Sequence, residues 1–398
     1  MQHRIVVLGG GYSGTTAAGR LARRLRREDA AVTLVNAEPD FVERVRLHQL
    51  AVGQELRPRP LREMLAGTGV ELRLAKATSI DVEGRTVAVQ SAGGSADLPY
   101  DSLVYALGSD WRDDGVPGVA EHAHQIANRA GALRLRARLA RLTEGDAVVV
   151  VGGGLTGLEI ATETAEARPD LDVALATHGE LGDGLSAKGR AHLRRVTDGL
   201  GITVHENTPV TLVGADHVRT ADGRTLPAAL TVWTTGFAVH PLAAATGLTL
   251  ADDGRIMVDA TMRSVSHPEV YAIGDAGHAL GTGGKPLRMS CASGIPMAWR
   301  AADSLAARLT GGEPSHAPLR YFNQCVSLGR KEGLIQFVTA DDRPVDRALT
   351  GRLAARYKEL VCRGAAWGLA HPTLGMPVRR RRVAADRAAA QGTARVAA

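Results

Sequence analysis

Cysteine is scarce in this chain of 398 residues: Cys291, Cys325 and Cys362 stand 34 and 37 residues apart, and the first 290 positions hold none. That spacing excludes a Cys-x-x-Cys pair, and with it a structural zinc site and a redox-active disulfide between neighbours. The three read as reduced thiols in a reducing compartment. Aromatic residues make up only 4%, too few to interleave with a basic face, so no nucleic-acid partner is expected. No apolar run reaches the roughly 18–20 residues that cross a bilayer. Strand-like residues begin at position 4 of MQHRIVVLGG, which leaves no space for a signal or transit peptide and points to a cytoplasmic protein. No two histidines stand four apart beside a carboxylate, so no metal is expected either.

The 44% hydrophobic and 23% charged residues are ordinary for a globular protein, and the length predicts two or three domains. The net charge of +6 is unevenly placed. Residues 349–398 hold ten basic side chains against Glu359 and Asp386, a local +8, so the preceding 348 residues carry −2. The 46 glycines follow no collagen-like period, and each cluster of them needs a local reason.

One unit occurs twice. RIVVL (4–8) is a continuous apolar run of the kind buried in a parallel sheet; it leads into Gly9-Gly10-Gly11-Tyr12-Ser13-Gly14, a helical stretch, and the strand AVTLV at 31–35. After 143 residues AVVVV (147–151) leads into Gly152-Gly153-Gly154-Leu155-Thr156-Gly157, the helix LEIATETAEA and the strand LDVALA at 171–176. Between the copies lie short meandering strands. Residues 186–205 read as a helix returning to a strand, and a further helix is expected near 292–309. In each turn the first glycine permits the tight bend and the second lets backbone approach a pyrophosphate. The third lets helix and strand pack closely, with the phosphates at the helix N-terminus. One such turn is weak evidence; two in the same strand–turn–helix–strand setting are strong. A third piece, VYAIGDAGHA (270–279), ends a strand in Gly274-Asp275, where a carboxylate can grip a polyol chain across the switch point.

With YALGS (105–109), WTTGF (233–237) and AIGDAG (272–277), these motifs stand in the order found in flavoproteins with two dinucleotide-binding domains. Over roughly residues 1–320 the chain resembles the FAD-dependent pyridine nucleotide oxidoreductases, nearest the type II NADH dehydrogenase and apoptosis-inducing-factor-like branch. The resemblance implies an α/β fold with two Rossmann-like domains and a small C-terminal α+β segment. An FAD-binding domain over 1–118 and 242–318 would be split by an NAD(P)H-binding domain over 119–241. An interface segment over 319–378 and a disordered basic tail over 379–398 would follow.

It implies FAD as cofactor and NADH or NADPH as co-substrate. Gly9, Gly11, Ser13 and Gly14 would hold the FAD pyrophosphate, with Asn36 and Glu38 at the adenosine ribose. Arg46, Gly108, Gly274, Asp275 and Ala292 would line the rest of the flavin. Gly152, Gly154, Gly157, Thr177 and Gly236 would hold the nicotinamide dinucleotide, and Glu159 would lie near the nicotinamide as a catalytic carboxylate. Arg46, His48 and Gln49 run toward the flavin in such proteins; a plain polar loop face is the competing reading. The partners implied are a small-molecule electron acceptor, such as a quinone, and a second copy of the chain. A carrier protein such as ferredoxin, or a redox-sensing role without turnover, are the alternatives.

Three departures bear on function. Thr177 stands where NADH-preferring relatives carry an acid, which lifts the repulsion of a 2′-phosphate and leaves His178, Arg190 or Arg194 to favour NADPH. The stretch MSCASGIPMAWRAAD (289–303) lacks the two glutamines of the quinone-using enzymes. Cys291 stands at a helix start, where a thiolate is stabilised, against the plainer role of a small packing residue. Finally, residues 349–370 place Leu353, Tyr357, Leu360 and Val361 on one helical face amid arginines. That face is expected to cover the molecule's own flavin domain; resting on an anionic membrane surface through 349–382, on the inner face of the cell membrane, is the alternative.

Overall fold

The computed structural model describes residues 2–372 and 379–384. Strand β1 (His3–Leu8) enters the first glycine turn and helix α1 (Tyr12–Arg24), and β2 (Ala30–Asn36) returns parallel to β1. The short helix α2 (Leu47–Ala51) follows, then β3 (Val70–Leu74), an antiparallel meander over residues 76–99, and β4 (Ser102–Tyr105). The second half begins with β5 (Ala123–His124), α3 (Arg129–Leu139) and β6 (Ala147–Val151). The second glycine turn, α4 (Leu155–Ala167), β7 (Asp172–Ala176), α5 (Ala187–Gly199), β8 (Thr203–His205) and β9 (Leu230–Trp233) complete it. The chain then returns to the first half through β10 (Val270–Ala272) and α6 (Cys291–Leu309). It ends in an antiparallel sheet of β11 (Asn323–Ser327), β12 (Gly333–Val338) and β13 (Pro344–Thr350), and helix α7 (Gly351–Ala370).

The first sheet has the order β10-β4-β1-β2-β3 and the second β8-β7-β6-β9-β5, all pairs parallel. The expected α/β architecture of two Rossmann-like sheets is borne out. Parallel strands need covering on both faces, which is why Ile5–Leu8 and Val148–Val151 are continuous apolar runs, all at most 4% exposed. In the first half the cover is Ala-rich. Ala17, Ala18 and Leu21 of α1 and Ala298, Ala301, Ala302 and Leu305 of α6 are buried in one core. Small side chains let these two helices close on each other and bring both N-termini to the carboxyl ends of β1 and β10.

The tail departs from expectation in two places. Residues 379–384 are not loose: Arg381 bridges Leu25 in parallel register, exchanging backbone hydrogen bonds with Arg24 and Arg26, and the Ala384 N–H donates to Leu309. These bonds satisfy backbone groups at the C-terminal ends of α1 and α6, so composition alone misread the segment. The remainder of the expected disordered tail lies outside the described residues. The second departure is α7. Its buried side is Ala354, Cys362, Ala366 and Leu369. Leu353, Tyr357, Leu360 and Val361 are instead 64%, 39%, 67% and 41% exposed, so the face expected to cover the flavin domain points away from the molecule. Among the described residues no helix is long and apolar enough to cross a membrane.

Candidate functional site

The two glycine turns have the same construction. Gly9 and Gly152 sit at φ +99° and +117°, the left-handed region that favours glycine. A Cβ on Gly14 would lie 1.9 Å from the Gly9 carbonyl oxygen, and one on Gly157 1.9 Å from that of Gly152. Strand and helix therefore meet backbone to backbone. Gly11 and Gly154 are the N-caps of α1 and α4, and a Cβ on either would meet nothing within 4 Å. Space is left open there. Neither cap offers a side chain to the first-turn N–H groups, whereas α3 and α5 are capped by Asn128 and Ser186. Uncapped N–H groups, a positive dipole end and an open approach are what a pyrophosphate requires. The residues present fit one dinucleotide in each half.

Around the first cradle, Asp275 is held ready. Its Oδ2 accepts from Ser109 Oγ at 2.6 Å and faces Arg44 Nη1 at 3.6 Å, while Arg44 donates to the Ser109 carbonyl at 2.9 Å. Gly274 has φ +67°, and Cβ atoms on Gly274 or Gly294 would lie 2.6 and 2.5 Å from Ser13 Oγ. Ser13, Gly274 and Gly294 thus bring α1, the Gly-Asp corner and the start of α6 to one point. Ala292 is exposed in the first turn of α6 beside it. Gly108, at φ +71°, follows Ala106, whose carbonyl oxygen lies 2.4 Å from where a Gly9 Cβ would stand. The YALGS segment therefore meets the turn through backbone, which tolerates Leu107.

Other expected flavin ligands are engaged elsewhere. Asn36 accepts the Gly10 N–H at 2.8 Å and donates to the Glu38 carbonyl at 2.7 Å, so both ends of its amide brace the turn. Glu38 is exposed at the strand end. Arg46 forks onto Glu359 of α7 at 2.9 and 3.0 Å and also donates to Glu43 and Gln49. It ties the first half to the C-terminal helix. Cys291 packs in the cluster of Tyr12, Phe41 and Leu369, and burial pushes its thiol up. A protonated packing residue fits this setting better than a thiolate.

In the second cradle, a Cβ on Gly153 would meet Thr177 Cγ2 at 2.9 Å, and Thr177 is buried with its hydroxyl donating to the Gly179 carbonyl. The arginines expected to favour a 2′-phosphate are paired: Arg190 with Glu180 at 3.2 Å and Arg194 with Glu206 at 2.6 Å. Gly236 lies beside Arg112, whose Nη2 would stand 3.1 Å from a Cβ there.

A buried ionic cluster joins α2, α4, β11 and α7. Glu159 Oε1 accepts from Lys358 Nζ at 2.8 Å and from the Ser327 N–H at 3.1 Å, and its Oε2 faces His48 Nδ1 at 3.6 Å. Lys358 also donates to the Cys325 carbonyl at 3.0 Å. Burial alone would raise the Glu159 carboxyl, but Lys358 and then His48 hold it below its ordinary value. Four residues along α4, Glu163 lies 1% exposed, with Oε2 accepting from Gln54 at 3.0 Å and Oε1 facing His48 Nε2 at 3.8 Å. Among the described residues neither Glu163 Oε1 nor His48 Nε2 has a hydrogen-bond partner, and Arg330 Nη1 also stands 3.8 Å from Glu163 Oε1. Burial raises Glu163 to about 7 and lowers His48 to about 4. His48 is therefore neutral between a carboxylate and a carboxyl that titrates near neutrality. The sequence singled out Glu159, though not its burial, and it did not point to Glu163 or Lys358. The usable signals were two acids one turn apart on an apolar helix and one of only five lysines among 48 basic residues.

The model of the pyridine nucleotide-disulphide oxidoreductase family matches residues 3–304. An NADH dehydrogenase-like protein of Mycobacterium tuberculosis is 30% identical over 74% of this chain and 78% of its own length. A type II NADH:quinone oxidoreductase of the same organism is 27% identical over 81% and 76%. Among solved structures, the sulfide:quinone oxidoreductase of Aquifex aeolicus superposes with a TM-score of 0.79 at 21% identity, covering 93% of this chain and 92% of that one. NDH2 of Plasmodium falciparum superposes with a TM-score of 0.77 at 16% identity, covering 96% and 100%. These likenesses extend the shared fold through the C-terminal sheet and helix. With its two open glycine cradles in one molecule and a family match over most of its length, the chain belongs to the pyridine nucleotide-disulphide oxidoreductase family.

Proposed function

We propose that the protein is an FAD-dependent oxidoreductase that takes two electrons from NADH or NADPH and delivers them to a small molecule of the quinone class. The observation that carries this reading is the pair of uncapped, glycine-lined helix N-termini, each with open space at its second glycine. One relative named as a type II NADH:quinone oxidoreductase and another named as a demethylphylloquinone reductase support the same conclusion. Bound FAD supplies the two-electron carrier between the nicotinamide and the acceptor. The chain supplies the setting. First-turn N–H groups of α1 and α4 would hold the two pyrophosphates, and Asp275, oriented by Ser109, would accept from the polyol hydroxyls. The start of α6 presents its positive dipole end beside Ser13 and Gly274. A reduced quinone needs protons as well as electrons. Among the carboxylates of the buried cluster, Glu163 is the one raised toward neutrality, and His48 stands between it and Glu159. With Glu163 raised to about 7, the cluster can hold a proton there and pass it by way of His48 toward the Glu159–Lys358 pair. Cys291 takes no part in this scheme.

NADH is the preferred donor in this reading, because Arg190 and Arg194 already have carboxylate partners. Stopped-flow mixing of the yellow holoprotein with NADH and with NADPH tests both points. Rapid bleaching by NADH followed by multiple turnover with a quinone supports the proposal. A persistent long-wavelength charge-transfer band without turnover contradicts it. Thr177→Glu is expected to slow reduction by NADPH further and to leave NADH within a few-fold; an unchanged NADPH rate would mean that Thr177 is not at the ribose.

The outward apolar row Leu353, Tyr357, Leu360, Val361 and Trp367 fits a peripheral seat on a bilayer. Leu353→Glu/Leu360→Glu is expected to abolish sedimentation with phosphatidylglycerol vesicles while leaving NADH bleaching intact. Equal sedimentation of variant and native protein would dismiss the membrane seat. A homodimer, the remaining expected partner, predicts a sedimentation mass of two chains.

A further inference from the structure

A cleft of about 470 Å3 opens between the first turns of α7 and the turn that joins β11 to β12. Six of its lining side chains are cationic, Arg330, Lys331, Arg352, Arg356, Lys358 and Arg363, and one is acidic, Glu359. Glu359 has no charge to spare. Arg46 forks onto it at 2.9 and 3.0 Å, Arg363 donates to it at 2.7 Å and Arg330 approaches to 3.6 Å. The Arg46 and Arg363 guanidinium groups overcome its burial and hold its carboxyl at about 2. Lys358 belongs to Glu159, and Lys331 stands 3.9 Å from Glu166 behind the rim. Arg352 and Arg356 have no carboxylate within 4.0 Å among the described residues.

Like charges brought this close repel one another even at a partly hydrated surface, and among the described residues no carboxylate offsets Arg352 and Arg356. The recess is concave, and its floor carries Gln49, Lys358 and Cys362. Lys358 is paired with Glu159, and Gln49 accepts from Arg46. A small molecule can reach that floor and the flat face of a folded protein cannot, which favours a small ligand over an acidic carrier protein.

We propose that this cleft binds the anionic group of a small molecule, a carboxylate, sulfonate or phosphate, and that the electron acceptor carries that group. The second clause rests on the oxidoreductase reading; the binding itself does not. Arg352 and Arg356 grip the anion at the mouth, Arg330 and Arg363 flank it, and the uncharged part of the ligand extends toward Lys358 and Cys362. Selectivity for charged over neutral acceptors then follows from the rim, away from the nucleotide cradles.

Calorimetric titration of the oxidised FAD-loaded chain with naphthoquinone sulfonate and with unsubstituted naphthoquinone tests the site directly. Losing one charge-assisted contact weakens binding about ten-fold or more. Arg352→Gln/Arg356→Gln is therefore expected to weaken the sulfonate at least that much and to leave the neutral quinone within two-fold, with the native preference shrinking at high salt. The same variant should lower kcat/KM for the sulfonate while the rate of flavin bleaching by NADH stays unchanged. Equal binding of the sulfonate by variant and native protein, or no native preference for it over the neutral compound, would overturn the proposal. Phosphatidylglycerol vesicles form the second arm. If they displace the sulfonate from native protein, and the double variant no longer sediments with them, the anion is a lipid headgroup and the acceptor clause is overturned. Binding of the sulfonate without turnover of either quinone would uphold the anion site and sink the quinone reading instead.

Discussion

At the scale of single residues, the buried cluster makes the sharpest predictions. A histidine whose folded value is lowered contributes stability that is present above its unfolded value of 6.5 and lost as pH falls through about 4. Glu163 behaves oppositely. Its value is raised from 4.5 to about 7, so its contribution is complete below 4.5 and is lost as pH rises through 7. Between pH 4.5 and 6.5 the two slopes oppose each other, and the native protein gains little net dependence from the pair. Glu163→Gln removes one arm. Its unfolding free energy, measured in urea at pH 5 and pH 6.5, is expected to rise with pH more steeply than that of native protein, and His48→Asn is expected to show the reverse. Parallel pH profiles for all three proteins would mean that neither group is held as described. Lys358→Met leaves Glu159 charged and buried and is expected to cost about 3–5 kcal/mol of stability. Glu159→Gln/Lys358→Met should recover most of that loss, since it removes both charges. Denaturant unfolding of the three proteins checks this; a double variant no more stable than the single one would contradict it. Little of the cluster was visible beforehand. Its members come from positions 48, 159, 163, 327 and 358, and no local pattern announces contacts that only the tertiary fold makes.

Among elements, the glycine turns were legible because their chemistry is local. A tight bend, a close helix–strand contact and an open N-terminus each demand glycine within six positions, and the flanking strands and helices confirm the setting. The structure separates these demands. Gly14→Ala forces a Cβ to within 1.9 Å of the Gly9 carbonyl, so it is expected to prevent folding of the first half and to give insoluble protein. Gly11→Val and Gly154→Val fill open space instead, and both are expected to fold with native circular dichroism. Gly11→Val should be colourless, whereas Gly154→Val should stay yellow and bleach with NADH at least ten-fold more slowly. A yellow Gly11→Val protein would place the flavin elsewhere. Helix α7 shows the opposite limit. Its apolar row was readable from spacing alone, but periodicity defines a face without saying what the face meets. The docking side is built of Leu369 with Ala354, Cys362 and Ala366, three small residues that close packing favours and that a search for large apolar side chains passes over. Residues 379–384 were misjudged for a related reason: their order comes from backbone bonds to Arg24, Arg26 and Leu309, to which side-chain composition is blind.

For the whole molecule, two parallel sheets face their carboxyl ends toward the elements that join them. The antiparallel pairing of Ser109–Trp111 with Phe237–Val239 links the halves directly, while α7 and Arg46 fasten the C-terminal segment to the first half. The order of motifs along the chain foretold the two sheets, since continuous apolar runs and glycine turns survive without tertiary information. It could not foretell that the C-terminal segment supplies Lys358 and Glu359 to the centre and a cationic cleft beside it. The account as a whole rests on one cradle holding a flavin and the other a nicotinamide close enough to exchange electrons. Anaerobic titration of the purified native chain with NADH, followed by its visible flavin absorbance, tests that most directly. Complete bleaching at one NADH per bound FAD is the result the account predicts; a colourless protein that takes up no FAD, or a yellow one that NADH does not bleach, would contradict it.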